Sequence, residues 1–231
     1  MKKIFLAIFL LTYISYGKYT ATINKISPTI KKRMIKGNSW KRGCPVGLRD
    51  LRYLRMSYID FRGRTKIGEM IVHKDVAKSV THIFEDLYNM DYPINKMRLV
   101  SDYRGKDWQS IEADNTSALN CRAITGNSKK WSNHAYGKAI DINPIANPYI
   151  SRKGRISHKA SLKYRKRVHR NRSAGDRAML LKNDKATKIF KDFGWKWGGD
   201  WRSIKDYQHF EYTRKSKSKT RQPQRDRGNL Y

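Results

Sequence analysis

Residues 120–144 read NCRAITGNSKKWSNHAYGKAIDINP, and residues 206–213 read DYQHFEYT. Near the end of the first stretch, the segment AIDIN alternates between branched apolar and small or polar side chains, which predicts a strand with Asp141 on its polar face. The second stretch alternates in the same way, with His209 and Glu211 sharing a face. If the two strands neighbour each other in one sheet, their polar side chains can converge on one place.

The segments around these two strands predict an α+β fold. Residues 58–72 are typical of a β-hairpin, and the apolar side chains after Asp75 recur with the period of an amphipathic helix. Residues 97–103 predict a further strand, and residues 178–193 predict a second helix that ends at Gly194. This order of elements favours a small, mostly antiparallel sheet packed by helices.

The polar side chains of this region are of the kinds that bind zinc. His134, Asp141 and His209 supply two imidazoles and one carboxylate, and a catalytic zinc ion has three such protein ligands and one open position. Asp206 could act as the general base, or it could merely cap a turn. Arg122 could stabilise a developing oxyanion, or it could be one more surface cation. The residues alone therefore predict a candidate site for one zinc ion.

The composition excludes several classes of protein and indicates an anionic partner. The chain has 231 residues, with 51 Lys+Arg, 19 Asp+Glu and a formal net charge of +32. Its hydrophobic fraction of 39% is enough for a buried core, which excludes a fully disordered chain. A single apolar run excludes a multi-span membrane protein. The charge implies nucleic acid, an anionic polymer or a membrane surface as partner, without choosing among them.

Changes in composition divide the chain into segments. Residues 18–43 are polar and basic and predict a flexible leader, and residues 44–213 predict the globular domain. Residues 151–177 form a basic insert that we expect to be a long surface loop, in which His158 is exposed to solvent. Residues 214–231 predict a basic, disordered tail.

The amino terminus predicts export to the periplasm or the outside of the cell. Residues 1–17 (MKKIFLAIFLLTYISYG) have the basic, apolar and small-residue regions of a secretory signal peptide, although an uncleaved membrane anchor is an alternative. We expect no stable membrane span once this segment is removed. Export makes a disulfide between Cys44 and Cys121 plausible, and two buried free thiols are the alternative.

The candidate ligands lie in two motifs that resemble a known family. The motif S-x-H-x-x-G-x-A-x-D from Ser132 to Asp141, followed by D-x-x-H-F-E from Asp206 to Glu211, resembles the D-alanyl-D-alanine carboxypeptidase / L-alanyl-D-glutamate endopeptidase family of zinc metallopeptidases. This family includes the VanY-type carboxypeptidases and phage endolysins. The family also resembles this chain in the segments NCRAITG, HAYGKAIDINPIANPYI and GWKWGGDW. The resemblance covers about residues 44–213.

The resemblance implies a fold and a set of roles. The fold is that of the hedgehog amino-terminal domain and the DD-peptidases, which is α+β with a small antiparallel sheet. The implied zinc ligands are His134, Asp141 and His209. Asp206 is the implied acid and base, and Arg122 stabilises the transition state. The resemblance also places Ser132 near the substrate and makes Glu211 a residue that orients a ligand.

The implied substrate is peptidoglycan or its stem peptides, but the bond that is cut stays open. Many carboxypeptidase members have Glu-x-x-Trp-His at the second motif, whereas Asp206 begins Asp-Tyr-Gln-His here, which is similar to the endopeptidase branch. The insert of residues 151–177 is more basic than the family suggests and could form a cationic rim for stem-peptide carboxylates or anionic envelope polymers. A non-catalytic zinc-fold module and a basic secreted binder of anionic polymers are the alternatives, and we do not expect nucleic acid as the partner.

Overall fold

The computed structural model describes residues 17–124, 126–170 and 172–213. Two predicted segments lie outside these described residues. They are the signal peptide of residues 1–17, apart from Gly17, and the tail of residues 214–231. The helices are α1 (Pro28–Lys36), α2 (Lys74–Asn89), α3 (Asp107–Glu112), α4 (Ala174–Arg177) and α5 (Lys185–Asp192). The strands are β1 (Ala21–Lys25), β2 (Leu51–Ile59), β3 (Thr65–His73), β4 (Lys96–Met97), β5 (Asn115–Thr116), β6 (Ala123–Ile124), β7 (Asn127–Trp131), β8 (Ala139–Asp141), β9 (Tyr149–Ile150), β10 (Lys196–Trp197), β11 (Lys205–Asp206) and β12 (His209–Glu211). The predicted α+β class with small, mostly antiparallel sheets is confirmed.

A three-stranded antiparallel sheet, in the order β1-β2-β3, packs against helix α2. The helix begins after His73, whose Nδ1 accepts a hydrogen bond from the Asp75 amide at 3.2 Å and so caps the first turn. The apolar stripe of α2 includes Val80 and Phe84, which are buried against Leu54 of the sheet. Burial of this stripe is the main stabilisation of the helix in the fold.

The prediction of a flexible leader over residues 18–43 is wrong. Strand β1 pairs with β2 along its whole length, from Ala21 opposite Met56, and α1 begins at a Ser27 cap. Met34 of α1 is fully buried in a small apolar cluster on the other face of the sheet. The segment has too few apolar residues to show a period of its own, and it is ordered because the sheet edge and this cluster hold it.

A second sheet, in the order β10-β12-β8, carries the candidate site. Phe210 in the middle of β12 is fully buried, and its ring stacks on Phe190 of α5 with 3.9 Å between ring centroids. Because side chains alternate along a strand, His209 and Glu211 on either side of Phe210 point away from this core. The packing of Phe210 therefore fixes which face of the sheet holds the polar side chains.

Two predicted elements differ from the structure. Residues 97–103 were expected to be one strand, but β4 ends at Met97 and Val100–Tyr103 form a 3-10 turn. The helix predicted over residues 178–193 begins only at Lys185, because the Asp184 side chain accepts a hydrogen bond from the Thr187 amide and caps the helix there.

The basic insert of residues 151–177 is not simply a surface loop. It contains a 3-10 helix over Lys159–Tyr164, and the Tyr164 ring is buried in a small apolar cluster with Ala146 and Met179. Arg167 is partly buried and its guanidinium donates to the Ala146 carbonyl, so it does not belong to an exposed cationic rim. These two side chains anchor the insert to the domain.

Cys44 and Cys121 form a disulfide that closes a separation of 77 residues, with their Cα atoms 5.9 Å apart. Within the described ranges, no helix combines the length and the apolar character that a membrane crossing requires.

Candidate metal centre and its cleft

His134 lies in a 3-10 turn whose shape is set by its neighbours. The Ser132 hydroxyl accepts a hydrogen bond from the His134 amide at 3.3 Å and caps the turn. Gly137 ends the turn at φ 66°, and a Cβ there would lie 2.7 Å from the His73 amide nitrogen, so glycine is required. His134 Nδ1 donates to the Ala118 carbonyl at 2.6 Å, which leaves Nε2 with a lone pair for a metal.

The other two candidate ligands face each other across adjacent strands. His209 of β12 lies directly opposite Asp141 of β8, as the alternation of the two segments suggested. His209 Nδ1 is 3.1 Å from Asp141 Oδ1, His134 Nε2 is 3.2 Å from Asp141 Oδ2, and the two ring nitrogens are 3.2 Å apart. All three side chains are buried, and their ligand atoms lie within 4.8 Å of one another. Two imidazole nitrogens and one carboxylate fit a catalytic zinc ion.

The charges of this cluster favour a cation at its centre. Burial would by itself raise the pKa of Asp141, but His134 and His209 hold it well below its usual range. Burial would lower the pKa of His209, but Asp141 and Glu211 raise it to about 10. In the metal-free protein a proton therefore supplies the positive charge that a zinc ion would supply in the loaded protein.

Asp206 lies beside the cluster and is poised to carry a proton near neutral pH. It is in β11, which pairs with β9 so that Asp206 lies opposite Tyr149. Its Oδ1 atom is buried and has no hydrogen-bond partner among the described residues. Burial raises the pKa of Asp206 to about 6, with His209 opposing and Asp141 adding to the effect. A Cβ at Gly198 would lie 2.5 Å from the Asp206 carbonyl oxygen and 3.3 Å from His209 Cβ, so this glycine permits the close approach.

Glu211 contacts the ring nitrogen of His209 that faces away from the cluster. Its Oε2 is 3.6 Å from His209 Nε2 and accepts a hydrogen bond from Asn133 Nδ2 at 2.6 Å. The carboxylate therefore bridges the ligand on β12 and the turn that carries His134. Asn133 was not among the residues that the sequence predicted.

Arg122 lies in the same cleft and is held by a carboxylate. Its Nε donates to Asp107 Oδ1 at 3.0 Å, and its Nη1 donates to the Ala123 carbonyl at 3.2 Å. The Arg122 carbonyl in turn accepts a hydrogen bond from the Ser132 amide at 3.1 Å, which joins this segment to the ligand turn. Asp107 was also missed, because a carboxylate 15 residues away in sequence has no motif that marks it.

The ligands and Asp206 form the floor of a cleft of about 500 Å³, a size suited to a short peptide. Aromatic side chains surround it, and Trp108 and Trp131 are about half exposed at its rim. The prediction that His158 is solvated is wrong, because its ring stacks on Trp108 with 3.8 Å between centroids and lines the cleft. One feature of the sequence indicated this side of the cleft, which is the unusually basic insert of residues 151–177 that contains His158.

Comparison with known proteins agrees with this geometry. The family model described as D-alanyl-D-alanine carboxypeptidase matches residues 125–212, the segment that contains the three candidate ligands and Asp206. This match confirms the resemblance that the motifs predicted, and it supports a peptidase of the D-alanyl-D-alanine carboxypeptidase type. Neither the curated proteins nor the solved structures compared with the chain gave a match.

Proposed function

We propose that this protein is an exported zinc metallopeptidase that hydrolyses peptide bonds in peptidoglycan stem peptides. The observation that supports this most directly is the convergence of His134, Asp141 and His209 beside Asp206 at the floor of one cleft. All four residues lie within the segment that matches the peptidase family. The bond that is cut is D-Ala-D-Ala or L-Ala-D-Glu.

The chain's own residues supply the steps of the hydrolysis. When bound by the three ligands, zinc polarises the scissile carbonyl and makes a water molecule more acidic. Asp206 takes a proton from the attacking water and passes it to the leaving amine. Arg122 stabilises the negative charge that develops on the carbonyl oxygen. Glu211 and Asn133 hold the His209 ring in its ligand orientation.

The net charge of +32 supports an anionic substrate in a cell envelope. Stem peptides carry free carboxylates, and exposed cations of the insert such as Arg155 and Lys159 lie beside the residues that line the cleft. If these cations steer the substrate, kcat/KM should fall steeply with ionic strength, and replacing both residues with glutamine should reproduce part of that fall. An unchanged rate between low and high salt would exclude this steering.

The experiment that tests the proposal is digestion of purified peptidoglycan by the mature chain. We expect products that disappear with a chelator and return when zinc is added, and their masses distinguish loss of one D-Ala from release of whole stem peptides. Asp206→Asn should retain zinc and remove the activity, because the charge of the proton acceptor is lost while its shape is kept. Products that persist in the Asp206→Asn variant would contradict the mechanism.

A second candidate is a basic secreted protein that binds an anionic envelope polymer without cleaving it, and the charge of the chain favours it. This function predicts retention on anionic polymer that depends on the basic segments and not on Asp206. Zinc-loaded protein that yields no product and still binds the polymer would favour this candidate, or a zinc-fold module without activity.

A further inference from the structure

The insert of residues 151–177 supplies one wall of the cleft. Ile156, Ser157, His158 and Ser161 all line it. The wall is held firmly, because Arg167 donates to the Ala146 and Leu180 carbonyls at 2.7 and 3.0 Å and to Asn147 Oδ1 at 2.7 Å. The insert is therefore part of the substrate site and not only a source of surface charge.

The wall meets the opposite side of the cleft at a ring stack. His158 of the insert stacks on Trp108 of α3, with 3.8 Å between ring centroids. The only polar atom of the indole, Nε1, donates to Glu112 Oε2 at 2.8 Å, so the Trp108 ring is fixed in orientation. Because two lining segments touch here, the stack bounds the cleft at this end.

Two polar atoms of the insert near this stack have no hydrogen-bond partner among the described residues. His158 Nδ1 and Ser161 Oγ are buried and make no hydrogen bond within the described part of the chain, and Ser161 is only 1% exposed. Buried polar atoms are normally paired, so an unpaired set in a cleft indicates groups that a ligand satisfies. Arg122 lies near the same end, because its partner Asp107 directly precedes Trp108.

We propose that His158 and Ser161 form a subsite that binds the free carboxylate of a peptide's carboxyl-terminal residue. A hydroxyl group and an imidazole N–H both donate to a carboxylate. The Trp108–His158 stack bounds the cleft beside these donors, and we place the end of the substrate chain against it. This inference rests on the proposed function, and it selects the carboxypeptidase form of it.

The test compares two stem pentapeptides that end in D-Ala-D-Ala, one with a free carboxylate and one with a terminal carboxamide. The zinc-loaded wild type should cleave the free acid with a kcat/KM about 10- to 100-fold higher, since hydrogen bonds to a charged group are lost with the amide. Ser161→Ala and His158→Phe should each raise KM for the free acid about 10-fold, with little change in kcat and little change for the carboxamide.

His158→Phe preserves the ring stack and removes only the donor, and Ser161→Ala removes one atom, so the two variants test the subsite without opening the wall. His82→Phe is the matched control, because His82 stacks on Phe193 away from the cleft. It should leave the ratio between the two substrates unchanged. Melting temperature and zinc content confirm that each variant is folded and loaded.

Several outcomes would overturn the inference. Equal cleavage of both pentapeptides by the wild type would do so, as would variants that slow both substrates by the same factor. Release of whole stem peptides from peptidoglycan, with neither pentapeptide trimmed, would overturn the subsite and leave the proposed function standing. No product from any substrate in the presence of zinc would overturn the proposed function and the subsite together.

Discussion

Replacing Asp206 with asparagine should make the metal-free protein more stable at neutral pH while it removes the activity. The structure buries the Asp206 carboxylate, leaves its Oδ1 unpaired among the described residues, and raises its pKa from an ordinary 3.8 to about 6. The folded protein therefore holds this proton more tightly than the unfolded chain does. The unfolding free energy that depends on this group falls as pH rises from about 4 to about 6.

The size of the effect follows from the two pKa values. A carboxyl group whose pKa is 3.8 when unfolded and about 6 when folded reduces the free energy of unfolding by about 3 kcal/mol once the pH is above both values. Asparagine cannot ionise, so Asp206→Asn avoids this loss. At pH 4 the two proteins should have similar stability, and at pH 8 the variant should be more stable by up to about 3 kcal/mol.

The assay is urea unfolding with a chelator present, followed by tryptophan fluorescence at several pH values for the wild type and Asp206→Asn. Asp200→Asn is the control, because Asp200 is an exposed residue that pairs with Lys191 at 2.7 Å and should add less than about 1 kcal/mol at any pH. A difference between wild type and Asp206→Asn that stays constant from pH 4 to pH 8 would refute the reasoning. A difference that grows with pH would show that the Asp206 carboxylate lowers the stability of the fold, which indicates that it is retained for its chemistry.

Three further predictions follow from the same contacts. Replacing Cys44 and Cys121 with alanine should lower the free energy of unfolding by about 4.5 kcal/mol in urea titrations, because the disulfide closes a separation of 77 residues. Asp107→Asn should lower kcat by roughly 10- to 100-fold with zinc content unchanged, because Arg122 loses the carboxylate that orients it; equal kcat values would show that this ion pair has no role. Zinc at about 1,000 times its Kd should stabilise the wild type by about 4 kcal/mol against unfolding, and His134→Ala should abolish the difference between zinc and chelator.

The floor of the site could be predicted from the sequence because its information is local. Alternation in AIDIN and YQHFEYT shows which side chains share a face, and Asp141 and His209 do pair directly across β8 and β12. The short motif around His134 contains the glycine whose positive φ the turn requires. Each of these signals spans fewer than about ten residues, the range over which backbone geometry is set by the residues themselves.

The walls of the site could not be predicted, because their information is long-range. The stack of Trp108 on His158 joins α3 to the insert, and neither segment has a sequence pattern that predicts contact with the other. The order of residues 18–43 also depends on contacts that are distant in sequence, because β1 is held by pairing with β2 and by burial of Met34 and not by its own periodicity. A high density of lysine and arginine indicated solvent for both segments, although a few buried side chains were enough to fix them.

The working site extends beyond the segment that matches the peptidase family. The match begins at residue 125, yet the Ala118 carbonyl orients His134 and the Asn120 amide donates to the His134 carbonyl at 3.2 Å. The next residue, Cys121, is bound to Cys44, and its amide donates to the Ser39 carbonyl at 2.9 Å. The residues predicted to be a leader therefore hold the chain that orients a ligand. The segment of residues 18–43 therefore contributes to the geometry of the candidate metal centre.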